Sequence, residues 1–364
     1  MGLATMLATN GWSVRVHERR GEISEVGAGI YLRNTPLRVL DKLGVKEQLR
    51  PHATAIVRSL WRNGKGKVIR DDDITGPESL EWVLPREKLM DALLSAVERA
   101  GVEVVNNSRA LGADPDGRLL MADGSRLDAD LVVAADGHAS VIRDELGLTT
   151  RHEFLPTKVT RYLIPNRAFL PEDTTTMNWS GNRRVGVAAC GRLTYVYLTM
   201  PESDKTGVMQ PIDLPSWQRH FPALAPLLAE LSALPSIQHN YAVAKCAAWA
   251  DGKVAIVGDA AHGLPPILGQ GAGLALSNTW ALSRMLEEST APVPEVLTDW
   301  ELKYRPFADT TQLWSLRMDA LTRTWPAFVP GRTSALRFIG SNPRIRRSMN
   351  LADTFSRSVS GLSA

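Results

Sequence analysis

The run Lys253-Val254-Ala255-Ile256-Val257-Gly258-Asp259, followed by a stretch rich in glycine and proline and by small helix-forming residues from Gly271, constrains this chain more than any other feature. A continuous apolar run rich in β-branched residues is the pattern of a strand buried on both faces, and such strands occur in parallel sheets covered by helices. Gly258 lets the chain turn at the strand end. Asp259 then brings a carboxylate to the carboxyl edge of the sheet, where open α/β folds bind their ligands. A second apolar run, residues 130–135, ends in Asp136-Gly137, and a short alternating strand, residues 13–17, ends at Glu18.

The segment before that short strand, residues 3–9, reads as a helix stopped by Asn10-Gly11, so the chain is expected to begin inside a strand–helix–strand unit, at its helix. If Gly2 is the last glycine of a G-x-G-x-x-G loop, the first would fall about 20 residues before Glu18, the spacing of the acid that binds a dinucleotide ribose. On this reading the first strand and most of the glycine loop are missing. Residues 269–273 place small residues at a helix start, where bare amides favour a negatively polarised group.

Between these segments, residues 85–100 have helical periodicity closed by Gly101, residues 102–105 form a strand, and Asp116-Gly117 and Asp123-Gly124 mark a hairpin. Residues 154–200 change to β-branched and aromatic runs, such as residues 193–198, which predict a second, antiparallel sheet. Residues 216–234 read as helical and punctuated by proline, and the chain is mainly helical from Gly271 onward. The acidic run Asp71-Asp72-Asp73 reads as a solvated turn, and Arg344, Arg346 and Arg347 as a solvated helix face.

With 364 residues the chain exceeds one ordinary core, so two packed domains or one large domain with an insertion are expected. Cys190 and Cys246 form no C-x-x-C pair and read as packing residues. A formal charge of +3 suits small anionic ligands better than nucleic acid, and no apolar stretch is long enough to span a bilayer. A cytoplasmic protein is expected. His262 lies in the glycine-rich segment without an evident carboxylate partner and is read as a packing residue, not a base.

In order and spacing, Gly2-Leu3, Asp136-Gly137 and Gly258-Asp259 with Pro266 and Gly269 resemble the single-component FAD-dependent aromatic hydroxylases, the para-hydroxybenzoate hydroxylase-like family. The stretches NGWSVRVHERR, GAGIYLRN, GRLLMADGSRLDADLVVAADG and GKVAIVGDAAHGLPPILGQGAG are most similar to the branch acting on hydroxypyridine carboxylates. The resemblance implies an α/β fold: a Rossmann-like parallel sheet binding FAD and NAD(P)H and lacking its first strand, an inserted antiparallel-sheet substrate domain, and C-terminal helices. It places a discontinuous FAD-binding domain at residues 1–57, 85–150 and 250–290, a substrate-binding domain at 58–84 and 151–249, and the C-terminal helices at 291–364.

Carried over by position, Gly2, Glu18, Arg19, Arg86, Asp136, Gly137, Asp259, Gly269, Gly271 and Ala272 would hold the cofactor, with Asp136-Gly137 serving the pyridine nucleotide as well. Tyr31, Arg183, Tyr195, Arg58 and Pro266 would form the substrate pocket. The resemblance implies a monooxygenase that uses NADH or NADPH and O2 to hydroxylate a small electron-rich aromatic or N-heteroaromatic acid through a flavin C4a-hydroperoxide. No side chain is assigned as acid or base, no metal is implied, and ring opening is one outcome. A hydroxybenzoate- or salicylate-type hydroxylase without ring opening is a second reading, and a truncated non-catalytic remnant a third. The late helices offer a surface for a homodimer.

Overall fold

The computed structural model describes residues 1–23, 28–75, 80–165, 169–171, 173–323 and 341–350, with 334 and 338 besides. Gly27 of the GAGIYLRN stretch and residues 351–364 of the expected C-terminal helices lie outside the described residues.

The chain opens with α1 (Gly2–Thr9), whose end is released where Gly11 adopts φ +88°, and enters β1 (Arg15–His17). There follow β2 (Gly29–Leu32), α2 (Asn34–Lys42), α3 (Lys46–Leu49), β3 (Thr54–Ala55), β4 (Arg58–Asn63), β5 (Val68–Asp73) and β6 (Trp82–Pro85). Pro85 fixes the entry into α4 (Arg86–Arg99), whose Leu89, Ala92, Leu93, Ala96 and Val97 recur at helical spacing and are buried together. After β7 (Glu103–Val105) an antiparallel meander of β8 (Ala110–Asp114), β9 (Arg118–Met121) and β10 (Arg126–Asp128) turns at Gly117 and Gly124, as the two Asp-Gly dipeptides predict.

β11 (Val132–Ala134) leads to α5 (Val141–Glu145), whose first turn is capped by the Ser140 hydroxyl. Then come β12 (Thr149–Ile164), β13 (Thr174–Ser180), β14 (Arg183–Cys190), β15 (Leu193–Pro201), α6 (Leu214–His220), α7 (Ala225–Ser232), β16 (Ile237–Cys246), β17 (Ala250–Asp251) and β18 (Val254–Ile256). The chain continues through α8 (Asp259–His262), α9 (Gly271–Glu288), α10 (Val293–Thr322) and α11 (Pro343–Met349).

Two parallel pairings carry the α/β part: β1 with β7, and β11 with β18 in the register Val132↔Val254. Among the described residues no ladder joins β1 to β11, so the expected single parallel sheet stands as two pieces. Val14, Val16, Leu131 and Val133 all line one cleft. Helices α1, α4 and α9 pack on these strands through a core that includes Leu3, Leu7, Leu93, Ala134, Val254, Ile256 and Leu282.

The second sheet has seven strands in the order β16-β12-β15-β14-β13-β4-β5. Its neighbours are antiparallel except for β13 beside β4. One face carries Val185, Val187, Val196 and Leu198 against Trp217, Phe221, Leu227 and Leu228 from α6 and α7; the other faces the cleft. The acidic run Asp71-Asp72-Asp73, expected as a turn, ends the outermost strand β5. Its charges are matched across the hairpin, Asp71 by Arg58, and along the strand, Asp72 by Arg70. Residues 82–84, expected with the substrate region, instead pair in β6 with β2 and β3. Both cysteines are free and buried. Among the described residues no helix is long and apolar enough to cross a membrane.

Candidate functional site

One cleft of about 3030 Å³ is lined by the α/β part on one side and by the seven-stranded sheet on the other. Its volume is several times the ~300–1,000 Å³ of a pocket for one drug-sized molecule, so it has room for a dinucleotide and a ring together. Gly2, Glu18, Arg19, Arg86, Asp136, Gly137, Asp259, Gly269, Gly271 and Ala272 all line it. The sequence scatters them over some 270 positions, and strand ends and helix starts bring them to one cleft: Glu18, Asp136 and Asp259 follow β1, β11 and β18, while Gly2, Arg86 and Gly271 open α1, α4 and α9.

Their local geometry differs. Glu18 follows β1 and accepts a hydrogen bond from the Arg20 amide at 2.9 Å. One oxygen of Asp136 is engaged by the Val141 amide at 2.9 Å, so this carboxylate already caps α5. Gly258 and Gly269 take φ +62° and +64°, a region open to glycine, and a Cβ on Gly271 would meet nothing within 4 Å. The start of the 18-residue helix α9 is therefore open to the cleft, beside the buried and unpartnered Oε1 of Gln270. Backbone donors at a helix start, a glycine-lined approach and an exposed Asp259 fit the polar ring edge and ribityl chain of a flavin. His262 is buried, packs on Trp249 at 5.5 Å and meets Asn278 at 3.3 Å, so it has the packing role expected of it.

The seven-stranded sheet supplies the opposite wall. Reading every second residue across its registers gives Trp61, Thr175, Met177, Trp179, Arg184, Tyr195, Tyr197, Arg161 and His239. Tyr31 joins from β2, its hydroxyl 3.0 Å from Thr175 Oγ1 and its ring 6.4 Å from that of Tyr195, which lies 5.5 Å from Tyr197. Two glycines seat these rings: a Cβ on Gly29 would stand 2.5 Å from Tyr195, and one on Gly186 2.0 Å from Tyr197. Burial raises the Tyr195 hydroxyl to about 12 and raises Tyr31 and Tyr197 as well, so all three are neutral hydrogen-bond donors at pH 7 and none is a base. Burial, with Arg161 and Arg86 nearby, lowers His239 to about 4, which leaves a neutral imidazole on the wall.

Two expected pocket residues do not reach the cleft. Arg183 points to the far face of β14, where it pairs with Asp204 at 2.6 Å, reaches Ser216 and Thr206, and stacks over Trp217 at 4.8 Å. Arg58 lies on the outer face of β4 and pairs with Asp71 at 2.6 Å in solvent. Both miss for the same reason: a strand alternates faces, so an error of one residue changes sides. Of the two arginines of the doublet, Arg184 is the one that faces the cleft. It is 2% exposed, donates to Thr199 Oγ1 at 2.8 Å and lies over the Trp179 ring at 5.3 Å. No described carboxylate forms an ion pair with it. All eight residues of β14 are buried, so the sequence offered no polar–apolar alternation to tell Arg183 from Arg184. Tyr31, Tyr195 and Pro266 line the cleft, as do Trp61, Trp179, Tyr197 and His239, which sequence reasoning did not single out.

The family described as "FAD binding domain" matches residues 1–309. The chain is 36% identical over 323 residues to 2-heptyl-3-hydroxy-4(1H)-quinolone synthase of Mycobacteroides abscessus, covering 86% of each chain. It is 24% identical over 309 residues to 6-hydroxynicotinate 3-monooxygenase of Bordetella bronchiseptica, covering 79% of each. The solved structure of the tetrameric form of 2-methyl-3-hydroxypyridine-5-carboxylic acid oxygenase superposes with a TM-score of 0.84 at 31% identity, covering 97% of this chain and 92% of the other.

Proposed function

Since the chain belongs to the FAD-binding-domain family and is an FAD-dependent monooxygenase of the aromatic-hydroxylase type, we propose that it hydroxylates an electron-rich N-heteroaromatic ring in an anionic form, with NAD(P)H as reductant. The observation that carries this reading is Arg184, a guanidinium buried in an aromatic wall that donates to the Thr199 hydroxyl and forms no ion pair with a described carboxylate. A buried charge so placed is costly until an anion meets it, and a ring oxyanion or ring carboxylate would supply one. The three similar proteins given above are named for a hydroxyquinolone, a hydroxynicotinate and a hydroxypyridine carboxylate, each an oxygenated ring that contains nitrogen.

Residues of this chain would divide the work as follows. Gly2, Glu18 and Arg19 would hold the adenosine end of FAD, Arg86 and Asp136-Gly137 its middle, and Asp259, Gly269, Gly271 and Ala272 the flavin end. Reduced by NAD(P)H, bound FAD supplies an oxygen atom from O2 to an electron-rich ring. Tyr31, Tyr195 and Tyr197 would bound that ring and exclude water, while Arg184 holds it ionised and so raises its electron density. Met177, Trp179, Ile267, Leu268 and Met318 extend the box with apolar surface, which favours a ring bearing an aliphatic or aryl substituent.

The test is NAD(P)H oxidation by the FAD-loaded protein with 2-alkyl-4(1H)-quinolones, hydroxypyridine carboxylates and hydroxybenzoates, each scored by product mass. Stimulation with one oxygen added supports hydroxylation, and two oxygens with loss of the ring chromophore support ring opening. If only hydroxybenzoates respond, the N-heteroaromatic reading falls; if no FAD binds, the whole reading falls.

A further inference from the structure

The cleft has a second aromatic feature, at its mouth and away from the tyrosine box. Phe154 is 60% exposed. Its ring stands edge-on to His138 at 5.7 Å and 79° and lies 6.0 Å from His152, and the two imidazoles meet at 3.3 Å. Phe154 and His138 both line the cleft, continuous with Asp136, Gly137, Gly258 and Asp259.

An aromatic side chain held open to water at the rim of a ligand cleft is unusual, and here the backbone holds it there. The ladder between β12 and β16 shifts register between Phe154 and Lys158, an irregularity that re-aims side chains at that point. Behind the rim, the fully buried Arg143 donates to the carbonyls of His138 at 2.9 Å and Ala260 at 3.0 Å and reaches Thr149 at 2.8 Å. One guanidinium thus ties the Asp136-Gly137 turn, α8 and β12 into a rigid frame. Deeper along the same wall lie Arg161 and His239, with no described carboxylate in ion-pair contact with either.

We propose that His138, His152 and Phe154 form the docking platform for the reduced pyridine dinucleotide. This rests on the FAD-dependent reading above. The exposed ring and imidazoles offer faces and edges on which a planar heterocycle stacks. The Arg161 guanidinium deeper in the wall suits a diphosphate, and the adjoining Gly258-Asp259 turn places the platform beside the expected flavin end. The step moves one hydride: a C–H bond of the dihydronicotinamide breaks, the pyridinium product leaves, and the flavin is reduced. The substrate ring has its own box, so both can be present at once.

The experiment is anaerobic stopped-flow reduction of the FAD-loaded protein by NADH and by NADPH, with Phe154→Ala. Loss of one stacking contact is expected to raise the apparent Kd for the reductant about tenfold, equivalent to ~1.4 kcal/mol. Flavin content, reduction by dithionite and the spectral shift caused by substrate are expected to stay at their original values. Phe154→Tyr should restore tight docking, and Phe154→Leu, which keeps apolar bulk without the ring and guards against misfolding of the smaller variant, should behave like alanine. An unchanged reductant Kd in both the alanine and leucine variants, or weakened substrate binding in place of reductant binding, overturns the proposal. A wild-type protein that binds no FAD defeats the underlying reading instead, so the two failures are distinct.

Discussion

Arg183 and Arg184 sit back to back on β14, so paired substitutions separate binding from stability. Arg184→Met removes the cation facing the cleft and, at the ~1.5–3 kcal/mol of a charge-assisted hydrogen bond, should raise the substrate KM by roughly ten- to a hundredfold with flavin content unchanged. Arg183→Met leaves Asp204 without its partner and should cost ~3 kcal/mol of stability, read by denaturant titration, with substrate KM little altered. His239 gives a pH prediction. Its folded-state value near 4 lies below the ordinary 6.5, so the unfolded chain takes up the proton first as pH falls. The His239 contribution to stability should therefore fall from pH 6.5 to about 4 and level off below, and thermal melts across that window should show His239→Gln losing less than the wild type. The carboxyl-edge residues could be placed from the sequence because each follows a turn glycine or an apolar run. The side of the sheet taken by each arginine of a buried doublet could not.

Among the elements, the tyrosines of β15 depend on two glycines, one on β14 in the same sheet and one on β2 of the three-stranded sheet packed against it. Gly186 on β14 leaves the space that Tyr197 of β15 fills, and Gly29 on β2 does the same for Tyr195. Gly186→Ala should force Tyr197 from its seat, costing ~1–3 kcal/mol in stability and changing which substituted rings stimulate NAD(P)H oxidation more than it changes FAD binding. Helix α4, the meander of β8 to β10 and strands β11 and β18 are legible in the sequence because periodicity and Asp-Gly turns are local signals. The parallel pairing of β13 with β4 is not, since it joins residues more than a hundred positions apart and leaves no local mark.

For the molecule as a whole, the cofactor would occupy the cleft between the α/β part and the seven-stranded sheet, so binding should be linked to folding. FAD at a hundred times its Kd adds about 2.7 kcal/mol to the native state, and a melt followed with and without FAD should rise by several degrees. The alternation of apolar strand ends with acids made the α/β class readable. The separation of its parallel strands into two pieces could be seen only in the assembled chain. The outermost strand β5 carries a last consequence. A sheet of seven strands has an end at which another molecule's strand could add, and here that end bears Arg70, Asp71, Asp72 and Asp73. Charged side chains along such a border disfavour the addition of a second copy's strand, so the run that ends β5 works against the edge-to-edge stacking that turns a concentrated solution cloudy.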